Sequence, residues 1–228
     1  MNIKRLQLNQ GAENAEGLTV IIDVFRAFTV ACYLINNGAE RIYPVASIDL
    51  AYRMKHKNNA LLLIGERSEK KCDGFDYGNS PSHIAEIDFS GKKIVHTTSS
   101  GTQGIALAKN ASEIITGSFV NAGAIVNYIK QQRPAVVSLV SMGYEGLRPT
   151  QEDEFCADYI ENELNGRQTN FHAMVETLRH GDGARLLDPK NNEHSPASDF
   201  DLCLQLNHFD FVLKVLTDEQ GRHYIEKY

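Results

Sequence analysis

Thr19-Val20-Ile21-Ile22-Asp23-Val24-Phe25-Arg26 is a short β-branched run that ends in an acid and passes into a helix-like stretch from about Arg26 to Asn37. Similar strand, loop and helix patterns recur through the first 150 residues. Their loops carry Gly65-Glu66-Arg67, Thr97-Thr98-Ser99-Ser100-Gly101-Thr102, Gly117-Ser118-Phe119-Val120-Asn121 and Ser141-Met142-Gly143. Alternating strands and helices argue for an α/β domain. In an open parallel sheet such loops gather outside the carboxyl ends of the strands, where ligands bind. Hydroxyls, N–H groups, arginines and carboxylates would then share one cleft, a mixture that suits a phosphorylated anion and a divalent cation.

Working outward, Gly38 closes the first helix, and Arg41–Val45 reads as the next strand. A helix from Ser47 to about Lys57 takes Ser47 as its N-cap. Leu61–Ile64 is a continuous apolar run, the mark of a strand buried on both faces. Gly65 to Ser80 has no periodicity and is rich in Gly, Asp, Lys and Ser, and loops that long in compact domains are usually functional or mobile. Ser80-Pro81 is a helix-start signal.

Lys93–Thr97 opens a second series, with a helix from near Thr102. Ala135–Val140 is a further buried strand, followed by helices at about Thr150–Leu164 and Phe171–Arg179. Asp188–Ser198 is a polar loop, and Phe209–Leu216 with His223–Lys227 reads as a closing hairpin. The expectation is one unit over residues 1–228, a three-layer α/β/α fold with a largely parallel or mixed sheet. Residues 1–90 and 91–228 read as two similar βαβ series, with an internal duplication weighed against the likeness of any two such units.

A net charge of −6 argues against a broad nucleic-acid surface, so an anionic ligand needs locally placed cations. No apolar run is long enough to span a bilayer and no leader pattern opens the chain, so a cytoplasmic protein is expected. Four scattered cysteines without a CxxC pair read as reduced thiols. A zinc site is not expected, since the eight histidines form no HxH or HxxxH pair.

The hydroxyls and free N–H groups of Thr97 to Thr102 form an anion cradle where a helix begins. The ordinary alternative is a capping loop whose hydroxyls serve the backbone. No GxxxxGK[ST] occurs, which disfavours a nucleoside triphosphate. Asp23 reads as a metal ligand, a nucleophile or a partner of Arg26; Phe25 stands where dehalogenase-type phosphatases need a second Asp. Glu66 suits Mg²⁺ and Arg67 suits bidentate capture of phosphate or carboxylate, beside the alternative of a surface pair. Glu152-Asp153 fits a helix N-terminus capped by Thr150, with a metal or catalytic role as the second reading.

These motifs, with Gly74-Phe75-Asp76-Tyr77-Gly78-Asn79-Ser80-Pro81, resemble the 2-phosphosulfolactate phosphatase (ComB) family in their order from about residue 19 to 165. Ser100 and Phe28 depart from the pattern expected there. The resemblance implies an α/β fold of its own and a Mg²⁺-dependent hydrolysis of (R)-2-phospho-3-sulfolactate to 3-sulfolactate, a step of the coenzyme M type. On the reading of the residues that fits this chemistry, Asp23, Arg26, Glu66 and Asp153 serve catalysis, with Mg²⁺ on carboxylates drawn from Asp23, Glu66, Asp76 and Asp153. Arg67, Asn79, Thr97, Thr98, Ser99, Ser100, Gly101, Thr102 and Asn121 would hold a small phosphorylated and sulfonated acid. Partners beyond that acid are not expected, apart from a homodimer as one state open to the chain. The alternatives are a phosphatase of the same fold for another small phosphorylated acid and a non-catalytic anion-binding protein.

Overall fold

The structure is a computed structural model that describes residues 1–228. The chain begins β1 (Asn2–Gln7), α1 (Leu8–Glu13), β2 (Gly17–Ile22), α2 (Ala27–Asn36), β3 (Arg41–Pro44), α3 (Ile48–Lys57), β4 (Leu62–Arg67) and β5 (Lys70–Lys71). It continues β6 (Lys93–Thr97), α4 (Gly101–Leu107), β7 (Ala111–Gly117), α5 (Ala122–Gln132) and β8 (Val136–Ser141). The last part holds α6 (Gln151–Leu164), α7 (Phe171–His180), α8 (Ala184–Leu187), α9 (Ser198–Cys203), β9 (Leu213–Thr217) and β10 (His223–Lys227). No helix is long and apolar enough to cross a membrane.

The ten strands form one mixed sheet in the order β1-β8-β2-β7-β9-β10-β3-β6-β4-β5, covered by helices on both faces. Strand alternation divides the cores. Ile21, Ile42, Ile64 and Ile94 face one continuous core under α2, while Val20 and Ile22 face a second under α5 and α6. Tyr43, Leu63 and Val95 face a third, smaller core beside α3. Strands from residues 1–90 and 91–228 are interleaved across the sheet, so neither segment has a sheet of its own.

The parallel group β1, β8, β2, β7 and the parallel group β3, β6, β4 run in opposite senses, because the β9–β10 hairpin joins them through three antiparallel pairings. In a flat sheet their carboxyl ends would lie on opposite edges. Five to seven strand steps separate β2 and β8 from β6 and β4, and at roughly 20–25° of twist each they accumulate to about 100–175°. Rotation of that size turns the two sets of carboxyl ends towards one side, and the loops after β2 and β6 touch where the Gly101 N–H donates to Asp23 (2.8 Å). The expected meeting of loops at one rim is therefore reached by twist between two opposed groups rather than along one parallel edge.

Two other differences have local causes. β1 is a half-buried edge strand carrying Lys4 and Arg5, without the apolar run that marks the central strands. β4 runs on to Arg67 and turns back into β5 through Ser68 and Glu69, both at positive φ (50° and 66°). Tight hairpin turns usually take Gly or Asn there, so the sequence carries no signal for this one. Gly65, at φ 151°, lies so close to the Thr97 carbonyl that a Cβ would collide with it.

Candidate active site

The loops meet around a narrow cleft lined by Asp23, Phe25 and Arg26 after β2, Glu66, Ser68 and Glu69, Asn79, Ser99 and Ser100, Gly143 to Glu145, and Arg185. Asp23 sits one residue past β2, where the strand ends and α2 has not begun. The Ala27 N–H donates to its Oδ1 (3.1 Å) and the Gly101 N–H to its Oδ2 (2.8 Å). Burial raises its pKa to about 7; these two bonds oppose the rise, and the charges of Glu66 and Glu152 add to it.

Asp153 is enclosed. The Val24 and Gly143 N–H groups each donate to it at 2.8 Å, so it clamps the loops after β2 and β8 together. Burial, with Asp23 nearby, holds its carboxyl well above the usual range. It does not line the cleft, and the expected capping box is absent: the Thr150 hydroxyl caps nothing and is buried without a partner. Next to it, buried Glu152 accepts from Arg185 through Oε1 (3.1 Å) and leaves Oε2 unpartnered.

The hydroxyl loop divides between the two expectations. Thr98 and Thr102 serve each other's backbone: the Thr98 N–H donates to Thr102 Oγ1 (2.9 Å) and the Thr102 N–H to Thr98 Oγ1 (3.2 Å). Thr97 Oγ1 accepts from Arg67. Those three hydroxyls are structural, and Gly101 lends its N–H to Asp23, not to a ligand. Ser99 and Ser100 do face the cleft. The Ser99 N–H and hydroxyl donate to Glu66 (2.7 and 3.2 Å), and Ser100 Oγ donates to the Gly143 carbonyl (2.7 Å). Phe28 is fully buried, and its ring edge lies 3.0 Å from where a Cβ on Gly101 would stand, which keeps that position a glycine.

Arg67 is a correction. Consecutive strand residues point to opposite faces, so with Glu66 at the cleft Arg67 cannot also reach it. Its guanidinium donates to the carbonyls of Glu66 and Ala46 and to Thr97 Oγ1. Asp76 is a second correction: its Oδ2 accepts from the Leu63 N–H (2.8 Å) and lies 3.7 Å from Lys55 Nζ, away from the cleft. Asn121 is a third, a fully buried capping-box residue paired with Ser118 and outside the cleft.

Arg26 does line the cleft, 3% exposed. Its Nη1 donates to Asp199 Oδ2 (2.7 Å) and to the His194 carbonyl (2.8 Å), while Nε and Nη2 make no bond within the protein. Asn79 also lines it, its Oδ1 held 3.1 Å from His96 Nε2. Burial lowers His96 to about 4, with Arg67 adding to the drop, so the ring is neutral. Among the cleft residues not anticipated from sequence is the cation Arg185, in a stretch without periodic pattern. It reaches Glu69 through Nε (2.8 Å) and Glu152 through Nη2, and lies 5.5 Å from the centre of the Phe25 ring.

No group of three or more His, Cys, Asp or Glu side chains is arranged to cage a metal ion, and the four-carboxylate set expected for Mg²⁺ does not gather. Asp23 and Glu66 remain as hard oxygen donors at the cleft wall. Mg²⁺ is commonly bound by one or two carboxylates together with substrate phosphate and water, a mode these two residues fit.

A sequence profile of the family described as 2-phosphosulpholactate phosphatase matches residues 4–218. Among curated relatives, a Clostridium perfringens protein is 33% identical over 168 residues, covering 72% of this chain and 67% of its own. A Thermotoga maritima protein is 35% identical over 178 residues, with 77% and 76% covered. One from Caldanaerobacter subterraneus subsp. tengcongensis is 28% identical over 215 residues, with 86% of both chains covered. Each of the three carries the name probable 2-phosphosulfolactate phosphatase.

Proposed function

This chain belongs to the 2-phosphosulpholactate phosphatase family, and from that premise we propose that it is a phosphoric monoester hydrolase converting (R)-2-phospho-3-sulfolactate and water to 3-sulfolactate and phosphate, a step of the coenzyme M type. Such a substrate carries phosphate, carboxylate and sulfonate on three carbons. A chain with net charge −6 must concentrate positive charge locally to hold it.

Arg26 is the observation that carries the reading. It is a buried guanidinium on the cleft wall with one nitrogen pinned and two nitrogens uncommitted. A guanidinium edge with two free donors matches two oxygens of a phosphate, sulfonate or carboxylate. Arg185 is a second cation, partly offset by Glu69 and Glu152, and Asn79 and Ser99 bring neutral polar groups.

Asp23, with its pKa raised to about 7, is partly protonated near neutrality and donates to the ester oxygen as the P–O bond breaks. Water adds to phosphorus and passes its proton to Glu66, whose orientation Ser99 and the Glu69 N–H fix. Fixed donors around the transferring phosphoryl group supply electrostatic stabilisation without reorganisation. Mg²⁺, held by Glu66 when bound, would add neutralisation of phosphate charge.

Phosphate release measured across a panel of phosphorylated three- and four-carbon acids tests the reading. The sulfonated substrate should have the highest kcat/KM, and chelation by EDTA should lower turnover until Mg²⁺ is restored. Preference for an acid without sulfonate would move the function to another substrate. Tight anion binding without turnover would make the protein a binder.

A further inference from the structure

We propose that Asp199 is a positioning residue for the reaction, aiming Arg26 at the substrate anion and tying that arginine to the Asn79-Ser80 wall of the cleft. The inference rests on the reading of Arg26 as an anion-binding residue. Asp199 lies in α9, in the part of the chain where sequence patterning is least informative, and has no exposed surface. Its Oδ2 accepts from Arg26 Nη1 at 2.7 Å. Its Oδ1 accepts from Ser80 Oγ at 2.8 Å and from the Ser82 N–H at 2.9 Å.

An ion pair this deeply buried is weak ground for stability, because desolvating both charges can exceed their attraction. Geometry gives it another use. The guanidinium is a rigid planar fork, and two acceptors on Nη1, Asp199 and the His194 carbonyl, fix both its place and its plane. Nε and Nη2 are then held at the cleft before any ligand arrives. Pre-set donors reduce the ordering cost of binding, and a misplacement of about 1 Å can cost on the order of 100-fold in rate. The Ser80 bond extends the control to its neighbour Asn79, which His96 fixes from below. One carboxylate thus sets the spacing between a charged and a neutral contributor to the cleft.

The test is a double-mutant cycle on Arg26→Ala and Asp199→Asn, read in kcat and KM on the sulfonated substrate and in calorimetric binding of 3-sulfolactate. Asp199→Asn should lower kcat/KM by about 100-fold, and the double variant should match Arg26→Ala within about twofold. Added guanidinium ion should restore activity to Arg26→Ala and fail to do so once Asp199 is also replaced. Additive losses, or rescue that ignores Asp199, would overturn the proposal while leaving Arg26 in place. If Arg26→Ala alone changes neither kinetics nor binding, the underlying reading fails, and Asp199 fails with it. Where Asp199→Asn does not fold, Ser80→Ala carries the same comparison. Its loss of about 3- to 10-fold should appear in the parent and vanish in the Arg26→Ala background, and equal losses in both would count against the idea.

Discussion

Arg185 Nη2 lies 3.1 Å from Glu152 Oε1, and this contact joins the C-terminal third of the chain to the first turn of α6 at the cleft. The same guanidinium holds Glu69 on the turn between β4 and β5. Three segments remote in sequence therefore converge on one cation. Arg185→Ala leaves Glu152, 2% exposed, as a buried charge without its partner. The expected cost is about 3–5 kcal/mol of stability. Adding Glu152→Gln should recover part of that stability but none of the lost kcat/KM. Urea unfolding and steady-state kinetics on the three proteins check both halves; full activity in Arg185→Ala would remove this arginine from the cleft's function.

Arg67 is bound to Ala46, Glu66 and Thr97 rather than turned towards the cleft. Arg67→Ala should therefore lower thermal stability while leaving the ratio of KM values for sulfonated and non-sulfonated substrates unchanged. A selective rise in KM for the sulfonated substrate would return Arg67 to the binding site.

Ser99 donates to Glu66, and the proposed attack is by water. Ser99→Ala should keep most of the turnover, with a loss of about 10-fold or less from the missing hydrogen bond. Complete loss in a folded protein, with labelled phosphate trapped on the parent enzyme, would favour a serine phosphoenzyme instead.

The central strands are legible in sequence because burial on both faces demands continuous apolar runs such as Val20-Ile21-Ile22. The edge strand β1 escapes because only a part of it is buried. The closing hairpin is readable, but its place in the middle of the sheet is not, since no local pattern encodes which strands it will separate. The site is legible as a set of loops and much less as a set of contacts. Thr97, Thr98 and Thr102 have the right chemistry for an anion, and their hydroxyls are spent on Arg67 and the backbone. A signal was available for Glu66 and Arg67, because neighbours in a strand cannot face the same way. Arg185 and Asp199 had none, each standing in a stretch whose polar residues look like any surface.

Asp23 and His96 give stability opposite dependences on pH over nearly the same range. Between about pH 4 and 7 the folded protein keeps a proton on Asp23 that the unfolded chain has released, so this residue's contribution is lost as pH rises through that window. Between 6.5 and about 4 the unfolded chain protonates its histidine while buried His96 stays neutral, so that contribution is lost as pH falls. The two slopes oppose each other in the parent, where buried Asp153, also raised, acts in the same direction as Asp23. Asp23→Asn removes one of them, and the variant should gain on the parent by on the order of 3–4 kcal/mol in going from pH 4 to pH 8, whatever constant cost the lost acceptor imposes. Its turnover should fall about 10²- to 10⁴-fold, as expected when a general acid is removed, while the parent's kcat declines above pH 7. Denaturant unfolding at pH 4, 6 and 8 together with a kcat profile measures both effects. Parallel stability curves for the two proteins, with unchanged turnover, would show that Asp23 neither titrates in this range nor serves the chemistry.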